Sequence, residues 1–172
     1  MGIGVSSPNA QLQFTNTPIN RKIVLYELSN NDNEYYGFGI NNLATRYQVG
    51  SLTADHVFYA GNGPFASNEL FRIKGNGNIG IGTSSPTAQL QLANIISNRK
   101  IVLYDANNND HQFSGLGINN DAVRYQTAST TTDHAFYAGA STTSSVELMR
   151  IKGTGRVGIG TSNPTPGLTR CW

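Results

Sequence analysis

Gly80-Ile81-Gly82-Thr83-Ser84-Ser85-Pro86 is the stretch of this 172-residue chain that decides its fold. The motif also occurs as Gly2-Ile3-Gly4-Val5-Ser6-Ser7-Pro8 and as Gly158-Ile159-Gly160-Thr161-Ser162-Asn163-Pro164. The copies are 78 residues apart, and residues 1–78 align with residues 79–156 without a gap, with 46 identical positions. A fixed period of this kind indicates one structural unit repeated along an axis. We therefore predict two tandem units, 1–78 and 79–156, followed by 157–172 as the start of a third motif and a tail.

The composition excludes several classes of function. Only 13% of the residues are charged, about half the usual share. The net charge is +2 without a run of Lys or Arg, so we expect no nucleic-acid partner. No apolar run is long enough to cross a membrane, so we expect no membrane insertion. Cys171 is the one cysteine, so no disulfide can form within the chain. Cys171 is then either a free thiol or a disulfide link between two chains.

Each repeat predicts short strands separated by turns. Runs of β-branched and aromatic residues are bounded by Gly, Asn, Asp and Ser, and helical periodicity is absent. One helical turn is expected after Ser85, where Pro86 suits the first helical position. We predict an all-β, mainly antiparallel fold. The predicted strands are 21–26, 35–40, 45–49, 56–60, 69–74 and 78–82, then 99–104, 113–118, 123–127, 134–138 and 147–152.

The alternate glycines of the motif favour close packing of several chains. Gly80 and Gly82 would leave one strand face without side chains, while Ile81 fills the other face. A bare strand face normally has another backbone lying against it. Because the feature recurs every 78 residues, we expect a crowded axis in an elongated, intertwined homo-oligomer.

The motif resembles a repeated element of known fibre proteins. Gly77–Leu92, Gly2–Phe14 and Gly155–Leu168 are similar to a motif of phage and virus tail-fibre and receptor-binding proteins, where it often precedes an endosialidase-type intramolecular chaperone domain. It is also similar to segments of mosaic trimeric fibre proteins of bacteria. The resemblance covers about a quarter of the chain. It implies a homotrimer at a virion surface or another extracellular location, and it identifies no receptor.

Six side chains are candidate ligand-binding residues because they recur in both repeats. An aromatic ring with polar neighbours can stack on a sugar and bond its hydroxyl groups. Charged side chains are scarce, so a neutral glycan is the expected ligand. The candidates are Tyr47, His56 and Tyr59 in the first repeat, and Tyr125, His134 and Tyr137 in the second.

Nothing in the sequence predicts an enzyme, a cofactor or a metal site. Asp55 lies beside His56, but neighbours on a strand point to opposite faces and cannot easily share a proton. Glu69 with Arg72, and Glu147 with Arg150, are expected to form surface or inter-chain ion pairs of small individual effect.

The leading hypothesis is a segment of a trimeric fibre that attaches to a cell-surface glycan. The first alternative is a purely structural filament or shaft subunit without its own ligand. The second is a monomeric tandem-repeat lectin with one sugar site in each repeat.

Overall fold

The computed structural model describes residues 1–165, and these contain fifteen β-strands and no helix. The all-β prediction is therefore confirmed. Cys171 lies outside the described residues. In chain order the strands are β1 Gly2–Ile3, β2 Gln13–Phe14, β3 Ile23–Glu27, β4 Tyr35–Asn41, β5 Ala44–Gln48, β6 His56–Gly61, β7 Ser67–Ile73, β8 Ile79–Ile81, β9 Leu90–Leu92, β10 Ser97–Asp105, β11 Phe113–Asn119, β12 Ala122–Gln126, β13 His134–Gly139, β14 Ser145–Ile151 and β15 Val157–Ile159.

The first compact unit, Met1–Asn94, contains three sheets. Strands β1 and β2 form a parallel pair, and β3, β4 and β5 form an antiparallel sheet. In the third sheet β6, β7 and β8 are antiparallel, and β9 then joins β8 in parallel. The sequence analysis did not anticipate β2, β9 or these parallel pairs.

The second compact unit begins at Ile95 and contains two antiparallel sheets. Strands β10, β11 and β12 form one sheet, and β13, β14 and β15 form the other. Strand β15 comes from the third copy of the Gly-Ile-Gly motif and pairs with β14 as β8 pairs with β7. The second and third copies of the motif therefore complete the sheet that precedes them along the chain. For this reason the compact units divide after Asn94, whereas the sequence period restarts at residue 79.

Corresponding strands of the two units share their bounds. Strands β4, β5, β6 and β7 have the same lengths as β11, β12, β13 and β14, and each begins 78 residues before its counterpart. A bulge also recurs. It shifts the register of β6 and β7 between Phe58 and Tyr59, and that of β13 and β14 between Phe136 and Tyr137.

Contacts within one chain explain both glycines of the motif. A Cβ on Gly80 would lie 2.4 Å from the carbonyl oxygen of Thr83, because the chain turns back over β8. Gly82 has a φ of +68°, which side chains rarely adopt. The expected backbone contact exists, but it comes from the same chain. The glycine pattern alone therefore does not require a symmetry axis.

The segment after Ser85 does not form the expected helical turn. The amide of Thr87 instead donates to Oε1 of Gln91 at 2.8 Å, and Nδ2 of Asn78 donates to the carbonyl oxygen of Pro86 at 3.2 Å. Side chains from the neighbouring strands thus satisfy the backbone that a helix would have satisfied.

Each unit buries one aromatic side chain completely. Tyr35 begins β4, Phe113 begins β11, and both are 0% exposed. Beyond Tyr35 the same strand face carries only Gly37 and Gly39, against which the main chain of residues 20–24 lies. Backbone occupies the space that apolar side chains fill in an ordinary sheet protein, and the core is correspondingly small.

We expect Gly82→Val to destabilise the protein much more than Gly61→Val. A left-handed backbone costs a residue with a side chain about 1–2 kcal/mol, and a β-branched residue suffers most. Gly61 has open space around its Cβ position and an ordinary backbone, so it is the matched control. Urea denaturation measures both variants, and equal losses in the free energy of unfolding would contradict this explanation of the motif.

Candidate functional site

Each unit carries an open cleft, and the two clefts occupy corresponding positions. The first has a volume of about 690 Å³, the second about 640 Å³. In the first unit the end of β5, the following turn, the start of β6 and the end of β7 line the cleft. Every residue that lines the first cleft has its counterpart, 78 positions later, in the second.

An aromatic contact joins two of the predicted residues beside each cleft. The rings of Tyr47 and His56 are 4.7 Å apart between centroids, and those of Tyr125 and His134 are 4.8 Å apart. Phe38, the partner of Tyr47 across β4 and β5, stacks with it at 5.0 Å between centroids. Strand β5 ends just after Tyr47 and β6 begins at His56, so the contact bridges two neighbouring sheets of one unit.

Both histidines keep a ring nitrogen without a hydrogen-bond partner. Nδ1 of His56 and Nδ1 of His134 are buried and unsatisfied. Tyr47 and Tyr125 remain 50% and 57% exposed; Tyr125 lines the second cleft, whereas Tyr47 contacts the lining residue His56 but does not itself line the first. The structure therefore brings together four of the six residues that the sequence indicated, as two Tyr–His pairs.

Tyr59 and Tyr137 lie elsewhere. Each follows its histidine by three positions, and the extra residue of the bulge lies on the partner strand, as Leu70 of β7 or Leu148 of β14, so the side chain projects from the opposite face. The hydroxyl group of Tyr137 donates to Oε2 of Glu147 at 3.1 Å. These two tyrosines do not line the clefts.

The sequence analysis did not single out two polar residues that shape each cleft. Nε2 of Gln48 donates to the carbonyl oxygens of Asn33 and Val49, both at 2.8 Å, and so holds the turn against the end of β5. Lys74 follows β7 and also lines the cleft. Both are identical in the other repeat, as Gln126 and Lys152, and this identity was the available signal.

An ion triad, which is one arginine bonded to two carboxylates, lies next to each cleft. Nε and Nη2 of Arg72 bond the carboxylate of Glu69 at 2.8 and 2.6 Å, and Nη1 bonds Asp55. The other oxygen of Asp55 accepts the amide of Gly75 at 3.1 Å. The ion pair expected at the surface or between chains thus forms within the chain, with these side chains no more than 19% exposed. The Asp55 carboxylate is committed to Arg72 and Gly75, not to His56.

The second unit repeats the triad. Arg150 bonds Glu147 at 2.8 and 2.6 Å and Asp133 at 2.6 Å, and the amide of Gly153 donates to Asp133 at 3.0 Å. A Cβ on Gly153 would lie 2.2 Å from the carbonyl oxygen of Thr130, so only glycine lets the turn approach this closely.

The triads shift the ionisation of their members. Bonds from Arg72 lower the pKa of Glu69, and bonds from Arg150 lower the pKa of Glu147. Partial burial raises the pKa of Asp55, but hydrogen bonds from Gly75 and Arg72 outweigh it, so that pKa also lies below its ordinary value. Arg150 and the amide of Gly153 lower the pKa of Asp133. The carboxylates in turn raise the pKa of Arg72 and Arg150.

The described residues show no arrangement for a metal ion. Within residues 1–165, no group of three or more His, Cys, Asp or Glu side chains is close enough to hold one. The same part of the chain contains no helix that could span a membrane.

Stability should fall in acid because the four triad carboxyl groups have lowered pKa values. Their contribution is complete above the ordinary pKa values of 3.8 and 4.5 and is lost as the pH falls through the folded-state values. Urea denaturation between pH 7 and pH 2 should show this loss. The double variant Arg72→Gln, Arg150→Gln should be less stable at pH 7 and depend less on pH. An unchanged pH dependence would show that the triads do not cause it.

Comparisons with known proteins leave the relationship to fibre proteins untested. No family model matches the chain, and no significant match is found among curated proteins or solved structures. The resemblance carried by the Gly-Ile-Gly motif therefore stays a prediction.

Proposed function

We propose that this chain is a segment of a homotrimeric fibre protein that attaches to a cell-surface glycan. The observation that carries the proposal is the apolar surface that a single chain leaves uncovered. The chain exposes 12557 Å², whereas two compact units, each of half its 18.5 kDa mass, would together expose about 9900 Å². Among the described residues, Tyr35 and Phe113 are the only hydrophobic side chains buried in the chain.

The exposed apolar residues include complete edge strands. All five residues of β3 are exposed, and the apolar Ile23-Val24-Leu25-Tyr26 is repeated as Ile101-Val102-Leu103-Tyr104 in β10. Leu25 is 69% and Leu103 76% exposed. Each of these strands lies at the edge of its sheet, where unpaired backbone and apolar side chains favour pairing with another chain.

Other copies of the same chain are the partner that best fits these edges. The apolar residues 23–26 of β3 are identical to residues 101–104 of β10. A second copy of the chain, aligned in parallel, would therefore make the same contact in each repeat. The number three rests on the resemblance of the Gly-Ile-Gly motif to trimeric fibres. Association of this kind disfavours the monomeric-lectin alternative, because a monomer would leave the apolar strands in water.

The clefts support the attachment role. Each cleft has a histidine and a polar turn, with a partly exposed tyrosine that lines the second cleft and adjoins the first through its histidine, and this set suits a sugar ring with its hydroxyl groups. Such shallow sites bind weakly one at a time. Two per chain in a trimer would act together, and avidity would raise the affinity for a cell surface.

Light scattering should give a particle mass of three times the 18.5 kDa chain. The double variant Leu25→Asp, Leu103→Asp should lower this mass, because two charges per chain would enter the apolar contact between copies. Phe65→Asp is the control, since Phe65 is 99% exposed but lies outside the strands and has Thr143 as its counterpart. A wild-type protein that is monodisperse at the single-chain mass would refute the fibre proposal.

Changing Tyr47 and Tyr125 together to alanine should abolish binding to glycan-bearing cells, and changing either alone should weaken it. The matched control is the double variant Tyr59→Ala, Tyr137→Ala, which removes equally exposed rings from the opposite strand faces. Flow cytometry with the folded oligomers measures the binding. An oligomer that never binds cells or glycans would favour the structural-filament alternative.

A further inference from the structure

The two clefts differ in charge although their backbones correspond. Asn33 and Glu34 line the first cleft, and His111 and Gln112 occupy the same positions in the second. The loss of the Glu34 carboxylate makes the second cleft more positive, and His111 replaces an amide side chain with an imidazole. Among the described residues that line the second cleft, none carries a carboxylate.

The corresponding arginines of the two units differ in their hydrogen bonds, although the glutamine that accepts the shorter bond, Gln48 in the first unit, is kept as Gln126 in the second. In the first unit Nε of Arg46 donates to Oε1 of Gln48 at 2.8 Å, and Nη2 reaches Oδ1 of Asn33 at 3.4 Å. In the second unit His111 replaces that asparagine. Arg124 is the counterpart of Arg46, and it lines the second cleft. None of its guanidinium donors has a hydrogen-bond partner within residues 1–165.

The surrounding groups strengthen this local positive charge. Lys152 and His134 also line the second cleft. Two acids adjoin lining residues in the sequence: Asp110 precedes His111, and Asp133 precedes His134 and is already bound by Arg150 and the amide of Gly153. Asp133 therefore compensates part of the Lys152 charge but does not reach Arg124.

We propose that the cleft of the second unit binds a saccharide that bears a carboxylate, with Arg124 as the anchor of that carboxylate and Tyr125 as the surface for the sugar ring. A guanidinium presents two parallel donors that match the two oxygens of a carboxylate. The exposed part of the Tyr125 ring can stack on the sugar. The first cleft lacks this preference, because Arg46 is occupied and Glu34 repels an anion. This inference rests on the proposed glycan attachment, and it departs from the neutral ligand that the composition favours.

Isothermal titration of the full-length oligomer tests the proposal with pairs of sugars that differ in acidity. Cellobiouronic acid against cellobiose probes a uronic acid, and N-acetylneuraminyl-lactose against lactose probes a sialic acid. At least one acidic sugar should bind with one site per chain and at least about tenfold more tightly than its neutral partner, since a hydrogen bond to a charged group has roughly this effect. Added salt should weaken that binding.

Two arginine variants identify the anchor. Arg124→Gln should weaken binding of the acidic sugar about tenfold or more and leave the affinity for the neutral sugar unchanged. Arg46→Gln makes the same change at the corresponding place in the first unit, and it should leave acidic-sugar binding unchanged. Equal effects of the two variants, or no effect of Arg124→Gln, would overturn the proposal.

The first unit also offers a gain-of-function test. The double variant Asn33→His, Glu34→Gln gives the first turn the residues of the second, and it should add a second, weaker acidic-sugar site per chain, because the Glu34 carboxylate is removed while Arg46 keeps its bond to Gln48. The turn tolerates the exchange, because Nδ2 of Asn109 bonds Oε1 of Gln112 just as Nδ2 of Asn31 bonds Glu34. A stoichiometry that stays at one in the folded variant would count against the role of these two positions.

The outcomes separate this inference from the proposed function. An oligomer that binds cells through neutral sugars, with no preference for acidic ones, would overturn the carboxylate site and leave the fibre proposal standing. A single-chain mass with acidic-sugar binding intact would refute the fibre and support the site.

Discussion

The close approach of main chain to the glycines of β4 and β11 is the constraint on which the rest of this structure depends. Gly37 and Gly39 let backbone lie where a side chain would stand, and Gly115 and Gly117 do the same in the second unit. The inner face of each strand therefore has room for a single aromatic ring. Hydrophobic burial is the main favourable contribution to folding, and one ring per unit supplies little of it.

The scarcity of burial within one chain connects the architecture to the proposed assembly. Apolar residues are plentiful in the strands, but they project from edges and outer faces. A surface of that kind becomes stable when other copies cover it. Folding and association are then one process, which is the usual situation in obligate oligomers.

The two units show how similar sheets can carry clefts of different charge. The Arg72 and Arg150 triads are the same in both units, with their bonds to the glycine amides, and they hold the ends of the hairpins in corresponding positions. Differences concentrate in the turn that faces the cleft. There the replacement of Glu34 by Gln112 removes a charge, while the bonds of Asn31 and Asn109 to the two following turn amides are the same in both units.

Sequence by itself determined the strand positions, the turns and the period. Alternation, β-branched runs and glycine or asparagine turns are local properties, so the bounds of β4 and β11 could be predicted within a residue. Tyr47 and His56 could also be named as candidates, because both recur in the second repeat, but their contact with each other could not.

Only the tertiary structure decided which groups meet across distances in the chain. The parallel pairing of β9 with β8, the bonds of Arg72 to Asp55 and the separation of Tyr59 from His56 depend on register and strand face. The reason for the motif glycines also came from the structure, since a bare strand face indicates a neighbouring backbone but not whose backbone it is. Local patterns determine conformation, whereas the partner of a strand or a charged group is chosen by packing among segments that are far apart in sequence.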